Sequence, residues 1–130
     1  MKLVVDANVI LAVVLDEPER GWAIALSEGG DAIAPRALPF EISNALSSLA
    51  KRKRLMPDDL DGARAAASKF SVVLQDIDLA AALRLAASNS MYAYNGYMLQ
   101  CALEASATLL TLDRTRGAIA RKLGLKVMES

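Results

Sequence analysis

Histidine is absent from this sequence, and cysteine occurs once, as Cys101. Without histidine the chain cannot build a Ser-His-Asp triad, a histidine general base or a zinc site with histidine ligands. A single cysteine permits neither an internal disulfide nor a cluster of cysteine ligands, and its apolar helical surroundings predict a core thiol rather than a nucleophile. Any catalysis must therefore rest on carboxylates, hydroxyls, amines or a bound metal ion.

An excess of either charge and a long apolar run are also missing. The 15 basic and 15 acidic side chains give a formal net charge of zero, so the chain as a whole is not drawn to nucleic acid. No apolar run approaches the roughly 20 residues of a membrane span, and the opening MKLVVD does not fit a signal peptide. Apolar residues make up 54% of the chain, which argues against disorder. We expect one cytoplasmic domain over residues 1–130, without membrane association.

Basic side chains are concentrated in two places, the KRKR block and the segment that follows Asp113. Lysine and arginine near a helix end complement the helix dipole, which accounts for such clusters without any function. The alternative is that they bind phosphate groups. The candidates for that role are Lys51, Arg52, Lys53, Arg54, Arg114 and Arg116.

Short apolar stretches alternate with segments of helical spacing along the chain. Leu38, Ile42 and Leu46, for example, recur at helical intervals within a helix predicted over 36–53. This alternation indicates an α/β fold with a central, mainly parallel β-sheet flanked by α-helices. The predicted strands are KLVV (2–5), DAIAP (31–35), SVVLQ (71–75), ATLLTLD (107–113) and LKVM (125–128).

The stretch SMYAYNGYMLQ (90–100) contains an Asn95-Gly96 pair with two possible interpretations. Asn-Gly between apolar runs is typical of a tight hairpin. The residues after Tyr97, however, continue with helical spacing, and a hairpin would need a second strand there. The sequence therefore predicts a helix that begins near Asn95, where asparagine is a favoured cap.

Three carboxylates are candidates for a site. Asp6 and Asp113 end the first and fourth predicted strands, and the carboxyl ends of parallel strands share the edge where sites form. Glu41 borders the buried face of its helix with Asn44 one turn further on, and a charge there must be paired, protonated or metal-bound. Each also has a structural explanation, since an aspartate after a strand often caps a helix and a glutamate at a helix edge can reach solvent.

A cation is needed if these three side chains converge, because three negative charges repel one another. Oxygen ligands without histidine or cysteine suit Mg²⁺ or Mn²⁺. Such ions activate water and stabilise the charge of a phosphoryl group. The chemistry predicted for the site is therefore hydrolysis of a phosphodiester.

Three stretches, LVVDANVILAVVLDEPE, PFEISNAL and ATLLTLDRTRGAIARKLGLKV, resemble the PIN-domain ribonucleases, specifically the VapC-type toxins of bacterial toxin–antitoxin modules. The resemblance covers nearly the whole chain, in order. It implies a compact α/β fold with a parallel sheet, a homodimer and a cognate antitoxin protein that blocks the site. It also implies cleavage of an RNA substrate with Mg²⁺ or Mn²⁺.

The resemblance also implies roles for individual residues. Asp6 matches the first acid of the family, and Glu41 matches the second, in an E-x-x-N pattern completed by Asn44. Asp113 matches the fourth acid, with Thr111 beside it. These acids would bind the metal ion and carry catalysis, and the two basic clusters would hold the RNA backbone.

The third acid is where the chain departs from the family. PIN proteins commonly have Y-D-A-x-Y at this point, whereas Tyr94-Asn95-Gly96 stands here. The amide oxygen of Asn95 can still ligate a hard cation, but without a charge, so metal binding should be weaker. The asparagine could be an engineered substitution that disables a toxic enzyme, a natural residue of an active or inactive protein, or a site that deamidates to aspartate.

Two other function classes are compatible with parts of the sequence. A degenerate PIN domain would hold an antitoxin or RNA without cutting it, and Asn95 favours that alternative. A haloacid-dehalogenase-like phosphatase would also place VVDAN after its first strand. That class needs a second aspartate where Asn8 stands.

Overall fold

Five parallel strands form the centre of the molecule in a computed structural model that describes residues 1–28 and 30–129. Their order across the sheet is third, second, first, fourth and fifth, and every neighbouring pair is parallel. The predicted α/β class is therefore confirmed. The strands are β1 (Lys2–Val5), β2 (Asp31–Pro35), β3 (Val73–Gln75), β4 (Thr108–Leu110) and β5 (Val127–Met128).

Helices make the crossovers that parallel strands require. A short 3-10 turn at Pro57–Asp59 precedes the fourth of them. Within the described residues, no helix is both long enough and apolar enough to cross a membrane. The helices are α1 (Ala7–Val14), α2 (Arg20–Ser27), α3 (Leu38–Lys51), α4 (Leu60–Ser68), α5 (Leu79–Ser88), α6 (Ala93–Ala105) and α7 (Arg114–Lys122).

The middle of the sheet is covered on both faces. Leu3, Val4 and Val5 are consecutive and all fully buried, although successive side chains of a strand point to opposite faces. This pattern is typical of a parallel sheet between layers of helices. Cys101 lies in the same core, where burial, with a smaller contribution from Glu104, raises the pKa of its thiol to about 11. The prediction of a core thiol is confirmed.

Three predicted strands are shorter in the structure. The strand predicted over 71–75 is reduced to β3, the one predicted over 107–113 to β4, and the one predicted over 125–128 to β5. Asp113 therefore does not end a strand, because the chain leaves the sheet after Leu110 and turns toward α7. The sequence also predicts that Gly29-Gly30 ends the second helix, and Gly29 lies outside the described residues.

The Asn95-Gly96 pair lies inside α6, so the helix prediction is confirmed and the hairpin is excluded. The cap prediction is wrong, because Tyr92 takes the N-cap position and Asn95 is the third residue of the helix. Gly96 serves helix packing, since a Cβ atom there would lie 2.4 Å from the backbone oxygen of Ala82. The glycine thus lets α6 approach α5 closely, which places Asn95 at the edge of the sheet.

Candidate active site

Asp6 is a fully buried polar residue at the carboxyl edge of the sheet. It directly follows β1 and occupies the N-cap position of α1, yet its side chain accepts no capping hydrogen bond. Its Oδ2 accepts hydrogen bonds from Thr111 Oγ1, at 2.7 Å, and from Arg116 Nη1. Its Oδ1 is buried and has no hydrogen-bond partner among the described residues. One carboxylate oxygen is therefore held in place and the other is left free to accept a ligand.

The guanidinium of Arg116 lies at the centre of the site. Besides the contact with Asp6, its Nε donates to Asn95 Oδ1 at 2.6 Å. Its Nη2 lies 3.8 Å from Glu41 Oε1. Arg116 is only 8% exposed, so its charge is balanced by these neighbours rather than by water. We call Asp6, Glu41, Asn95 and Arg116 the ionic cluster.

Glu41 is the second carboxylate of the ionic cluster and comes from the first turn of α3. Its side chain is 13% exposed, and its Oε2 is buried without a hydrogen-bond partner among the described residues. Burial raises the pKa of this carboxyl to about 7, the negative charge of Asp6 adds to the effect, and Arg116 acts in the opposite direction. Glu41 is therefore an acid that changes its protonation state near neutral pH.

Asp113 stands next to the ionic cluster but faces another way. Its Oδ1 accepts a hydrogen bond from the backbone N–H of Arg116 at 3.0 Å, which caps α7. Its own N–H donates to Thr111 Oγ1 at 3.0 Å, the hydroxyl that also binds Asp6. Asp113 is thus linked to Asp6 through Thr111, while its carboxylate serves the helix. The predicted convergence of three carboxylates is realised for Asp6 and Glu41.

Asn44 lies outside the ionic cluster. It is exposed and lines a cavity of about 520 Å³ together with Asn8 and Arg52. Asn8 connects the two regions, because its Nδ2 lies 3.4 Å from Asp6 Oδ2 and its Oδ1 accepts from the N–H of Leu112 at 3.1 Å. Asn8 was not predicted to take this role, although its position two residues after Asp6 was a usable signal.

The candidate phosphate-binding residues divide into exposed and buried ones. Lys51, Arg52, Lys53 and Arg54 are all exposed at the end of α3, and Arg114 is exposed at the start of α7. Arg116 was predicted among them, and the structure corrects this prediction. Its guanidinium is buried against Asp6 because it lies one helical turn after the Asp113 cap, on the side of α7 that faces the sheet edge.

The donor atoms of the ionic cluster have the chemistry of a site for a hard divalent cation. Asp6 Oδ1 and Glu41 Oε2 are buried acceptors that have no partner in residues 1–28 and 30–129, and buried polar atoms in folded proteins are normally satisfied. Carboxylate and amide oxygens suit Mg²⁺ or Mn²⁺. Within the described residues, however, no three acidic, histidine or cysteine side chains are grouped to hold a metal ion. These two oxygens fit a cation, while the guanidinium of Arg116 contacts the other oxygen of each carboxylate.

Comparison with known proteins places this geometry in context. The sequence matches the PIN domain family over residues 3–125. No protein of curated function matches the chain. The crystal structure of PAE2754 from Pyrobaculum aerophilum is similar to it with a TM-score of 0.69 and 24% identity, over 98% of this chain and 92% of that one.

Two further solved structures have the same fold. VapBC2 from Rickettsia felis, bound to a DNA fragment from its promoter, gives a TM-score of 0.65 at 11% identity and covers 99% of this chain and 98% of that one. FitAcB from Neisseria gonorrhoeae gives 0.58 at 20% identity and covers 98% and 96%. At identities this low, the likeness shows the arrangement of helices and strands.

Proposed function

This chain belongs to the PIN-domain family, and from that premise we propose that it is an endoribonuclease toxin of the VapC type that hydrolyses RNA with Mg²⁺ or Mn²⁺. PIN domains are generally nucleases. The observation that carries the proposal is a pair of carboxylates at the carboxyl edge of the sheet, each with a buried oxygen that has no hydrogen-bond partner in the described part of the chain.

Asp6 and Glu41 would hold the metal ion, with Asn95 and Asp113 as further ligands. A bound ion of this kind supplies activation of water and stabilisation of phosphoryl charge. Thr111 fixes the orientation of Asp6 by donating to Oδ2, so that Oδ1 remains available. Glu41 carries a proton more readily than an ordinary glutamate, because burial raises its pKa. We therefore expect cation binding to release that proton.

The RNA backbone would lie along the KRKR block. Lys51, Arg52, Lys53 and Arg54 are exposed, and Arg52 lines the cavity that also contains Asn8, a neighbour of Asp6. Arg114 is exposed at the opposite side of the edge, at the start of α7. Because phosphate contacts release counterions, we expect RNA binding to weaken as the salt concentration rises.

The proposed partners are a cognate antitoxin protein and a second copy of the chain. Structures of the same fold include VapBC2 and FitAcB, and we extend a partner of the antitoxin class to this protein. Leu79 and Leu83, one turn apart on α5, are 63% and 60% exposed, and Val73 on the edge strand is 62% exposed. This apolar surface supports association with another chain.

The direct test is RNA cleavage by the purified chain in Mn²⁺, compared with Asp6→Asn. We expect the substitution to abolish cleavage, and EDTA to abolish it in the unchanged protein. Asp78→Asn is the matched control, because Asp78 caps α5 outside the ionic cluster. Cleavage that survives both Asp6→Asn and EDTA would refute the proposal.

A second candidate function is a PIN domain that binds an antitoxin or RNA without cutting. Asn95 in place of an acid favours it, as does the position of Arg116 between the carboxylates. Asn95→Asp discriminates the two: gained cleavage would show that position 95 limits an otherwise competent site. If neither protein cleaves but both retain binding of antitoxin or RNA, the binding module is the better description.

A further inference from the structure

The guanidinium of Arg116 contacts all three side chains of the ionic cluster that could bind a metal ion. We propose that Arg116 is the resident cation of the site and that a divalent metal binds only when this guanidinium leaves. The identification of the site rests on the proposed function. The competition itself concerns residues and contacts within this chain and is measured by metal binding, without reference to RNA.

Each nitrogen of the Arg116 guanidinium faces an oxygen of another residue in the ionic cluster. Nη1 is bonded to Asp6 Oδ2, Nε to Asn95 Oδ1, and Nη2 faces Glu41 Oε1. Each of these oxygens belongs to a side chain that would also hold the metal. The planar guanidinium presents its donors in a fixed fork, so one side chain reaches oxygens of three residues that are distant in sequence.

Charge prevents the two cations from sharing the site. The guanidinium of Arg116 and the carboxylate of Asp6 are buried, and Glu41 and Asn95 are partly buried, so repulsion between Arg116 and a divalent ion is weakly screened. Asp6 Oδ2 already accepts from Thr111 as well as from Arg116. Metal binding therefore has to break the contacts of the guanidinium before it can use the carboxylates fully.

Arg116 is placed where it can leave without unfolding the protein. It lies in the first turn of α7, and the two preceding residues, Arg114 and Thr115, are exposed. Rotation about its side-chain bonds would carry the guanidinium toward solvent while the backbone N–H keeps its bond to Asp113. The cap of α7 and the position of the guanidinium are thus separable.

Asn95 completes the arrangement. A neutral amide oxygen accepts from Arg116 Nε, so the guanidinium is held by Asn95 without an added negative charge. The same oxygen is the one that the amide would offer to a metal ion. Binding of either cation thus removes a ligand from the other, and this chain should bind a divalent metal weakly.

The test measures Mn²⁺ binding by electron paramagnetic resonance and calorimetry. Arg116→Met retains the long apolar stem and removes the charge, so we expect it to bind one Mn²⁺ about tenfold or more tightly than the unchanged protein. Arg116→Lys should fall between them, because it keeps a charge but cannot bridge three acceptors. The double variant Asp6→Asn with Arg116→Met should lose the gain.

Equal Mn²⁺ affinity of the unchanged protein and Arg116→Met would overturn the proposal. A gain that persists in the double variant would also overturn it, because the added ion would then lie elsewhere. If Arg116→Met folds only when Mn²⁺ is present, the dependence of folding on Mn²⁺ concentration supplies the affinity for the same comparison.

The unchanged protein offers an independent measurement. The Nε–H resonance of Arg116 should be visible and slow to exchange by NMR, because this group is buried and bonded to Asn95. Saturation with Mg²⁺ should shift it and increase its exchange. A resonance that stays unchanged while Mg²⁺ perturbs Asp6 would show that both cations coexist and would refute the competition.

These outcomes are separate from failure of the proposed function. Tighter Mn²⁺ binding by Arg116→Met without RNA cleavage by any variant would support the competition and reject the nuclease. RNA cleavage that requires Mn²⁺, with equal metal affinity in the unchanged and Arg116→Met proteins, would support the nuclease and reject the competition.

Discussion

Asp6 and Asp113 occupy matching places in the chain but have different surroundings. Each takes the N-cap position of a helix, α1 or α7, that follows one of two neighbouring strands. Asp113 accepts the capping hydrogen bond from the N–H of Arg116. Asp6 makes no capping bond and is instead bound by side chains of Thr111 and Arg116, which are distant in sequence.

The difference teaches that a position at the end of a strand does not by itself assign a role to an aspartate. A helix cap needs only backbone N–H groups two or three residues away, so it is a local interaction. The role of Asp6 depends on donors that other elements bring to it. Asp6 is consequently fully buried, whereas Asp113 is only partly buried.

Asp6→Ala should have the largest effect on stability. It leaves the buried guanidinium of Arg116 without its principal carboxylate, and breaking a buried ion pair lowers the free energy of unfolding by about 4 kcal/mol. Urea unfolding measures this. The double variant that adds Arg116→Met should recover part of the loss. If the free energy of unfolding fell by less than about 1 kcal/mol, as for the removal of an ordinary helix cap, the prediction would be contradicted.

Glu41 should make stability fall as the pH rises. Its pKa is raised from 4.5 unfolded to about 7 folded, so the folded state binds the proton more tightly. The free energy of unfolding should therefore decrease by about 3 kcal/mol between about pH 4.5 and pH 7, and the penalty remains in full above that range.

Unfolding measured across this pH range tests the prediction, with Glu41→Gln as the decisive variant. The substitution should remove this component of the pH dependence and leave the variant more stable than the unchanged protein at alkaline pH. Glu28→Gln, at an exposed position, is the matched control. An identical pH dependence in the Glu41→Gln and unchanged proteins would contradict the prediction.

Thr111→Val tests the hydroxyl that joins the two aspartates. It removes the donor to Asp6 and the acceptor for the N–H of Asp113 in a fully buried position, which should lower the free energy of unfolding by about 2 kcal/mol. Thr111→Ser keeps the hydroxyl and should lose less. Equal losses in chemical denaturation would assign the effect to packing instead of hydrogen bonding.

Asp113→Ala should have the smallest effect of the four, a loss of about 1 kcal/mol, as is usual for removal of a helix cap. Asp78→Ala provides the matched comparison, since Asp78 caps α5 with the same 3.0 Å bond to the third residue beyond it. Thermal or urea unfolding would measure both. If Asp113→Ala were as damaging as Asp6→Ala, the contrast between the two aspartates would be lost.

The elements of the fold could be predicted because their signals are local. β1 and β2 have the predicted bounds, and helical spacing located α3 within two residues at each end. The predictions were wrong where a tertiary contact overrode a local preference. Asn95 was predicted as a cap, but its side chain binds Arg116 within the helix, and Gly96 serves the packing of α6 on α5.

The candidate site could be predicted in part, because two of its residues also have local signals in the sequence. The positions of Asp6 and Glu41 followed from a strand end and from the apolar spacing of a helix, and both lie in the ionic cluster. Arg116 was predicted to hold the RNA backbone because it belongs to a cluster of basic side chains. Nothing in its immediate neighbourhood indicates that it reaches across the edge of the sheet to Asp6.

The sequence by itself determined the alternation of strands and helices, the apolar centre and the limits on the chemistry. With no histidine and a single cysteine, any catalysis had to rest on carboxylates, hydroxyls, amines or a bound metal ion. Only the tertiary structure decided which charges meet. Arg116 and Asp6 are 110 residues apart, and they touch because β4 pairs directly with β1 and carries α7 to the same edge. Ion pairing depends on distance in space, which the order of strands in the sheet sets.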